Sequence, residues 1–275
     1  LYCKCKFIKG LIKIENALYG ELNLNTLAQY HSLSGKVIFI TGGASGIGRA
    51  MVKSFVNQNA KVAFIDIDDK AAQSLIRDLP NAKLWYRQVD VTDSHALQQS
   101  LVDACAAFGA INVLVNNVAN DRRQASEDVT VQDWDQCLQI NLNPAFFASQ
   151  VAMSFMKGDG AGSIINFSSI NAIMGQPQMA GYVTAKAGLI GMTKALARDY
   201  GEFGIRVNAI LPGWVATDRQ LASWFTEEEQ VKWMEAMALK KLVTPEDVAN
   251  LALFLAADES SMITGQGIKI DGGRL

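Results

Sequence analysis

Tyr182 and Lys186 are the two side chains with the clearest potential for chemistry in this sequence. They lie four residues apart in a segment of helical character, so both face the same side of a helix, about one turn apart. A phenol has a reference pKa of about 10, and using it as a base at neutral pH requires roughly 4 kcal/mol of stabilisation of its anion. A neighbouring ammonium group can supply part of that stabilisation. The spacing alone is also common on ordinary helix surfaces, so other residues must support a catalytic role.

A glycine-rich turn supplies the first such support. The segment Thr41-Gly42-Gly43-Ala44-Ser45-Gly46-Ile47-Gly48 follows a short apolar run and precedes a helix predicted over 49–59. Glycines allow the backbone to approach a pyrophosphate closely, and the N–H groups at the start of a helix attract its negative charge. The spacing also fits a turn that binds nothing, but its place between strand and helix favours a dinucleotide site.

Asp66 lies at the end of the second apolar run, where an acidic side chain can bind the hydroxyls of an adenosine ribose. A carboxylate there would repel a 2′-phosphate, by about 1 kcal/mol in water and about 4 kcal/mol in a shielded site. The sequence therefore predicts NAD as the cofactor rather than NADP. The alternative is a solvated residue at a strand end, and Asp68 and Asp69 are better explained as charges that start a helix.

The elements that must position these residues follow a regular pattern from Gly35 onward. Short apolar, β-branched runs alternate with longer stretches of helical period, which is typical of a parallel sheet covered on both faces. The runs are 36–41, 61–66, 84–89, 111–116, 163–168, 206–211 and 266–271. We predict an α/β fold, a doubly wound parallel seven-stranded sheet of Rossmann type with helices on both faces, as a single domain over 35–275. Residues 1–34 are predicted to be an N-terminal extension of unknown role.

Composition excludes several classes of function. With 25 basic and 27 acidic side chains, the net charge of −2 gives no surplus for binding nucleic acid. The uncharged stretches 136–156 and 160–185 are interrupted by Asn, Gln and Pro, so we interpret them as segments buried in protein and predict no membrane association. Four scattered cysteines fit neither a disulfide framework nor a metal site, which indicates reduced thiols and a cytoplasmic location.

Taken together, these motifs resemble those of the short-chain dehydrogenase/reductase family over essentially all of 35–275. The resemblance rests on the glycine turn, Asp90-Val91, Asn116-Asn117-Val118-Ala119, Asn141, Ser169, Tyr182, Lys186 and Pro212-Gly213, which fall in the family's order and spacing. One departure is visible, because the family usually has Asn-Asn-Ala-Gly where this chain has Asn116-Asn117-Val118-Ala119. The larger side chains there crowd the region beside the cofactor.

The resemblance implies a role for each of four catalytic residues. Tyr182 exchanges a proton with the substrate oxygen, Ser169 hydrogen-bonds that oxygen, and Lys186 holds the nicotinamide ribose and lowers the pKa of the phenol together with the oxidised ring. Asn141 anchors a water-linked proton path. Two alternatives stay open: Ser168 and Ser169 can be a turn-forming pair, and Asn141 can simply bind backbone groups.

The resemblance also implies the residues that bind NAD. Asp90 and Val91 flank the adenine, Asn117 lies on the adenosine side, and 212–217 faces the carboxamide. The complete set is Gly42, Ser45, Gly46, Ile47, Gly48, Asp66, Ile67, Asp90, Val91, Asn117, Tyr182, Lys186, Pro212, Gly213, Val215 and Thr217.

Substrate specificity is expected in the loops that follow the fourth, fifth and sixth strands. These loops are rich in amide, acid and guanidinium groups, which recognise hydroxyls by paired hydrogen bonds. The candidates are Asn120, Asp121, Arg122, Gln176, Trp214 and Arg219, with Trp224 nearby. Thr226 followed by three glutamates indicates an N-capped helix in a lid over about 213–241. Each of these residues can equally be a solvated or packed loop residue.

We therefore predict an oxidoreductase that transfers hydride to NAD from a secondary alcohol or the anomeric carbon of a sugar, most simply an aldose 1-dehydrogenase forming a lactone. The sugar-like pattern is again a resemblance, in Asn120-Asp121 with Arg122 and in Arg219-Gln220. The alternatives are a 3-oxoacyl-thioester reductase of the same family and a non-catalytic NAD(H)-binding redox sensor. A homotetramer is expected, because the faces around 136–156 and 182–196 offer more apolar surface than one sheet can cover.

Overall fold

The computed structural model describes residues 28–223 and 226–275, and its centre is one parallel sheet of seven strands. The strands are β1 (Val37–Thr41), β2 (Lys61–Asp66), β3 (Leu84–Gln88), β4 (Val113–Asn116), β5 (Gly162–Phe167), β6 (Ile205–Pro212) and β7 (Gly267–Ile270). Every pairing between them is parallel, in the order β3-β2-β1-β4-β5-β6-β7. The predicted fold class is confirmed, with strand ends within two residues of the predicted runs.

Helices connect successive strands, as parallel pairing requires. They are α1 (Gly46–Asn57), α2 (Asp69–Asp78), α3 (Ser94–Phe108), α4 (Val131–Asn141), α5 (Asn143–Asp159), α6 (Asn171–Met174), α7 (Ala180–Tyr200), α8 (Asp218–Ser223), α9 (Glu227–Ala236) and α10 (Pro245–Ala256). None of the helices in the described ranges has the length and continuous apolar character needed to cross a bilayer.

Two large apolar clusters, one on each face of the sheet, enclose the central strand β1 on both sides. One cluster joins Ile38 and Ile40 of β1 to α1 and α10, and the other joins Phe39 to α3 and α5. All five residues of β1 are buried, so adjacent side chains of this strand enter opposite clusters. A central strand buried on both faces reads as an unbroken apolar run, which is the pattern seen in the sequence.

The strand order reverses direction between β1 and β4, which are neighbours in the sheet although two strands separate them in the chain. Connections from these two strands leave to opposite sides, and a crevice opens beyond their carboxyl ends. The glycine turn leaves β1 at this edge, Asp66 ends β2, and Asn117 follows β4. The fold therefore gathers the residues singled out by the sequence at one edge of the sheet.

Residues 28–34 pack against the body of the protein, although they belong to the stretch assigned to an extension. Leu33 is completely buried, and the backbone N–H of Tyr30 donates to Gln58 Oε1 at 2.8 Å. Ser32 Oγ donates to Glu259 Oε2 at 2.7 Å, shortly after the end of α10. Residues 1–27 lie outside the described part of the chain.

Candidate active site

A cleft of about 1170 Å³ lies along the carboxyl edge of the sheet. It extends from Asp66 and Asp90 at one end, past Tyr182 and Lys186, to Trp214 and further residues at the other end. All sixteen residues predicted to bind the cofactor line it, as do Ser169, Asn120, Asp121, Gln176, Trp214 and Arg219. Asn141 and Arg122 do not line it.

The glycine turn is held against the end of β4 more tightly than any other residue type would allow. A Cβ atom on Gly48 would lie 1.8 Å from the carbonyl oxygen of Gly42, and Gly42 has a φ of +69°. Asn117 fastens the same turn, because its Nδ2 donates to the carbonyl oxygens of Thr41 and Gly42 at 3.1 and 3.0 Å. Asn117 therefore stabilises the glycine turn, in addition to its predicted position next to the adenosine.

The start of α1 fits a pyrophosphate. Ser45 is the N-cap residue of α1, yet its side chain makes no capping hydrogen bond, and the first turn of the helix carries no acidic residue. The positive end of the helix dipole thus faces the cleft without an opposing carboxylate from its own first turn. A cradle in which Cβ atoms do not fit, next to such a helix start, suits the diphosphate of a dinucleotide.

Asp66 stands beside this cradle and is partly buried. Its Oδ2 accepts from the N–H of Ala44 at 2.8 Å, and its Oδ1 accepts from the N–H of Asp68 at 3.0 Å. These two bonds fix the carboxylate at the mouth of the turn, and each oxygen retains a second lone pair for a hydroxyl group. The position fits the predicted contact with a ribose.

Tyr182 lies in the first turns of α7 and is 9% exposed. Burial raises the pKa of its phenol above the ordinary value, and the negative charge of Asp121 raises it further. A hydrogen bond with Ser169 and the positive charge of Arg219 act in the opposite direction. Desolvation of the phenolate outweighs these two lowering contributions, so the protein alone holds the pKa of the phenol above its ordinary value. The predicted lowering by Lys186 together with the oxidised ring stays a prediction.

Lys186 lies one turn further along α7 and is 1% exposed. Its Nζ donates to the carbonyl oxygen of Phe167 at 2.8 Å and lies 5.6 Å from the centre of the Tyr182 ring. Burial lowers the pKa of this ammonium group to about 7. The contact with the Phe167 carbonyl fixes this ammonium group beside the Tyr182 ring.

The two serines that follow β5 have different partners. Ser168 Oγ donates to the carbonyl oxygen of Lys186 at 2.7 Å, so it joins the strand end to α7. Ser169 Oγ accepts from the N–H of Asn171 at 3.1 Å, and its hydroxyl also meets the phenol of Tyr182. Only Ser169 lies beside the phenol oxygen, in agreement with the choice that the sequence spacing favours.

Asn141, the last residue of α4, uses its amide on backbone groups. Its Oδ1 accepts from the N–H of Asn120 at 2.8 Å, and its Nδ2 donates to the carbonyl oxygens of Asn120 and Cys137, each at 3.0 Å. Of the two interpretations left open by the sequence, these contacts favour the one in which Asn141 binds backbone groups. A role in a water-linked proton path stays a prediction.

At the other end of the cleft, residues far apart in the chain form a polar cluster around Asp121. Arg219 Nη2 lies 2.9 Å from Asp121 Oδ1, and Gln220 Nε2 donates to Asp121 Oδ2 at 2.8 Å. Trp214 Nε1 in turn donates to Gln220 Oε1 at 2.7 Å. The loop after β4 is thereby joined to α8, across the mouth of the cleft from the phenol.

The side chain of Arg122 lies away from the cleft, so the geometry does not support the predicted contact with substrate, which stays a prediction. Arg122 is 68% exposed and faces Asp133 of α4 at 3.6 Å, whereas the next residue, Arg123, lines the cleft. Consecutive residues of an extended loop point to opposite sides, so a shift of one position reverses the assignment. Trp224, the other tryptophan considered for this region, lies outside the described residues.

The predicted lid contains two helices, α8 and α9, and Thr226 caps α9 by accepting from the N–H of Glu229 at 3.3 Å. Trp233 of α9 and Arg274 after β7 also line the cleft, and the sequence analysis missed both. The signal for Arg274 was present, because it follows the carboxyl end of a predicted strand and ligands bind at that edge. No comparable local signal marks Trp233.

Comparison with known proteins adds independent findings. A family model described as enoyl-(acyl carrier protein) reductase matches residues 42–274. "Probable galactose dehydrogenase GalD" of Rhizobium meliloti is 41% identical over 90% of this chain and 97% of its own length. D-xylose 1-dehydrogenase of Caulobacter vibrioides is 41% identical over 90% of this chain and 98% of its own.

A 3-oxoacyl-[acyl-carrier-protein] reductase of Thermotoga maritima is 37% identical over 88% of this chain and 98% of its own length. Among solved structures, a protein of Sinorhizobium meliloti 1021 provisionally assigned as a short-chain alcohol dehydrogenase superposes with a TM-score of 0.85. It is 30% identical, and the match covers 89% of this chain and 98% of that one.

Proposed function

The chain belongs to the short-chain dehydrogenase/reductase family, whose dehydrogenases use nicotinamide cofactors, and on that premise we propose that it oxidises an aldose at the anomeric carbon to the lactone, with NAD as the acceptor. Two relatives of equal identity are named for aldoses, galactose and D-xylose. Their names support the substrate class, and the side chains of the cleft support it independently.

The observation that carries the proposal is the polar composition of the cleft around Asp121. A guanidinium and an amide, from Arg219 and Gln220, both lie within hydrogen-bonding distance of this carboxylate. An acyl chain would bury these polar groups against hydrocarbon, whereas a sugar presents several hydroxyls that both donate and accept. A polyhydroxylated substrate therefore fits this part of the cleft better than a thioester with a long apolar chain.

The chemistry requires that the anomeric hydroxyl lose a proton while its carbon loses a hydride. We propose that Tyr182 accepts that proton and that the Ser169 hydroxyl, which hydrogen-bonds the phenol, also hydrogen-bonds the substrate oxygen. When bound, the oxidised nicotinamide accepts the hydride and adds a positive charge beside the phenol. Lys186, held by the carbonyl of Phe167, is positioned to hold the nicotinamide ribose by hydrogen bonds.

NAD rather than NADP is the cofactor we propose, because the fixed carboxylate of Asp66 would repel a 2′-phosphate. We expect Asp66→Ala to reduce the ratio of kcat/KM for NAD to that for NADP by about tenfold. Asp69→Ala is the matched control, since Asp69 lies in the first turn of α2 outside the cleft. An unchanged ratio in Asp66→Ala would show that Asp66 does not select between NAD and NADP.

The substrate proposal is tested by following NADH formation over a panel of aldopentoses, aldohexoses and secondary alcohols, and NADPH consumption with 3-oxoacyl thioesters. We expect aldoses to give the highest kcat/KM. The second candidate, thioester reduction, is favoured by the acyl-carrier-protein reductases among the relatives and would prevail if thioesters were preferred. Binding of NADH without turnover of any compound would instead support the redox sensor.

We further propose that residues 35–275 form the catalytic domain, with a lid over about 213–241, and that the enzyme is a cytoplasmic homotetramer. Phe146 of α5 is 42% exposed and lines an apolar groove with Leu142, Phe147 and Met192, within the uncharged segments. Such a patch is typical of a contact between subunits. Light scattering that gives a monomer would refute the assembly.

A further inference from the structure

Two hydrogen-bond donors at the end of the cleft remote from Asp66 have no acceptor in the described part of the chain. They are the indole Nε1 of Trp233 and the Nε of Arg274, and both atoms are shielded from solvent. Both residues line the cleft. A buried donor without a partner costs about 1–3 kcal/mol, so a pair of them beside a cavity indicates that a bound molecule supplies the acceptors.

The two residues hold each other in place. The guanidinium carbon of Arg274 lies 5.0 Å from the centre of the Trp233 ring, a cation–π contact. On its other flank, Trp233 meets Trp214 edge to face, with ring centres 5.2 Å apart and planes at 82°. These contacts limit the rotamers of both side chains, so the two N–H groups are pre-organised for a ligand.

The backbone that carries Arg274 is fixed as well. Gly272 and Gly273 adopt left-handed φ values of +65° and +76°, and Cβ atoms there would lie 2.3 and 2.7 Å from Met237 and Ala238. The N–H groups of Ala238 and Leu239 donate to the carbonyls of Gly273 and Gly272 at 3.2 and 2.8 Å. The turn after β7 and the segment after α9 therefore form one unit that positions Arg274 and Trp233 together.

A continuous row of contacts relates this pair to the reacting end of the cleft. It begins at Asp121, whose charge acts on the phenol of Tyr182, and continues through Gln220 to Trp214. Trp214 contacts Trp233, and Trp233 contacts Arg274. Arg274 follows the edge strand β7, two strands away from β5, after which Ser169 lies. We therefore assign Arg274 to a part of the substrate remote from the carbon that loses hydride.

We propose that Trp233 and Arg274 form a distal subsite that binds hydroxyl oxygens at the end of the aldose remote from its anomeric carbon. This inference rests on the proposed function and adds the residues that select the sugar. Both groups only donate, so they require acceptor oxygens, which the hydroxyls of a sugar supply. A sugar that lacks the distal hydroxyl leaves the two donors unpaired and binds more weakly.

The experiment compares an aldohexose with its 6-deoxy analogue in the full-length enzyme. Arg274→Met keeps the apolar stem of the side chain and removes its donors, while Trp233→Phe keeps an aromatic ring under Arg274 and removes the indole N–H together with the five-membered ring that carries it. In the unaltered enzyme we expect kcat/KM to favour the hexose by about tenfold. Each variant should raise KM for the hexose by about tenfold, change kcat less than twofold, and nearly abolish the preference over the deoxy sugar.

The matched control is Arg77→Met, an exposed arginine of α2 that does not line the cleft, and it should leave both sugars unaffected. Thermal unfolding checks that the variants fold. Arg274→Lys, which keeps the charge and loses the Nε donor, serves if Arg274→Met does not fold, and it should also raise KM for the hexose.

Several results would overturn the subsite. Equal kcat/KM for the two sugars in the unaltered enzyme would exclude a distal hydroxyl contact whatever the variants do. Variants that lower kcat without raising KM would assign the pair a merely structural role. A preference for a hexuronate over the hexose would show that the subsite binds a carboxylate rather than a hydroxyl group. An enzyme that oxidises no aldose refutes the proposed function itself, which is a distinct outcome from turnover without discrimination.

Discussion

The two ends of the cleft are built in different ways. At the cofactor end, every one of these contacts involves the main chain of the glycine turn. Gly48 lies against the carbonyl of Gly42, and the side chains of Asn117 and Asp66 bind main-chain groups of the turn. At the substrate end, side chains contact side chains from distant parts of the chain. Asp121 and Gln220, for example, are 99 positions apart in the sequence.

This difference separates the part of the site that is common to a reaction from the part that selects a substrate. A site made of backbone tolerates almost no change in residue type, because each Cβ has a fixed neighbour. A site made of long side chains can change one contact at a time while the sheet stays the same. Substitutions at the cofactor end should therefore abolish binding, whereas substitutions at the substrate end should change selectivity or pH dependence.

The largest effect is expected from Gly48→Ala at the cofactor end. The added Cβ would lie 1.8 Å from the Gly42 carbonyl oxygen, so the turn must move, and we expect loss of measurable NADH binding by calorimetry. Gly158→Ala on α5 is the matched control, because its Cβ would meet nothing within 4 Å. Binding of normal affinity in Gly48→Ala would show that the cofactor end is as adaptable as the substrate end.

Tyr182 lies between the two ends of the cleft, and Tyr182→Phe should affect neither cofactor binding nor substrate binding. We expect kcat to fall by about 10³-fold, because the phenol oxygen is the proton acceptor, while NADH binds within about threefold of its normal affinity. Stopped-flow rates and calorimetric titration measure the two quantities separately. If more than a few per cent of the activity remained, the base would have to be another group.

Changes at the substrate end should shift the pH profile in opposite directions. Asp121 raises the pKa of Tyr182 and Arg219 lowers it. The oxidation needs the phenolate, so Asp121→Asn should move the acidic limb of the kcat profile to lower pH, and Arg219→Met should move it to higher pH. Shifts of the same sign would show that disruption of the loop, rather than charge, controls the profile.

The smallest effect is expected from Arg122→Ala. This side chain is exposed and pairs with Asp133 away from the cleft, and such surface pairs contribute little. We expect kcat/KM for the aldose to change by less than about twofold, against a clear loss in Arg219→Met. A large effect would show that Arg122 contacts the substrate after all.

The same contrast explains how much could be predicted from the sequence. The seven strands, the glycine turn and the Tyr182–Lys186 pair depend on periodicity and on short spacings, and these are readable along the chain. Trp233 and Arg274 come together only because two left-handed glycines bring the turn after β7 against the end of α9. No local pattern records that contact. The raised pKa of Tyr182 depends on burial, which spacing does not measure.

The amide of Asn141 has a consequence beyond the loop it binds. By holding both the N–H and the carbonyl of Asn120, it makes the end of α4 the anchor for the next residue, Asp121, whose charge acts on the reacting phenol. A small displacement of that helix would move Asp121 and so change the basicity of the proton acceptor, together with the polar cluster that we propose faces the sugar. Substitutions on the outer side of α4 offer a route for tuning the working pH of the enzyme without replacing any residue that lines the cleft.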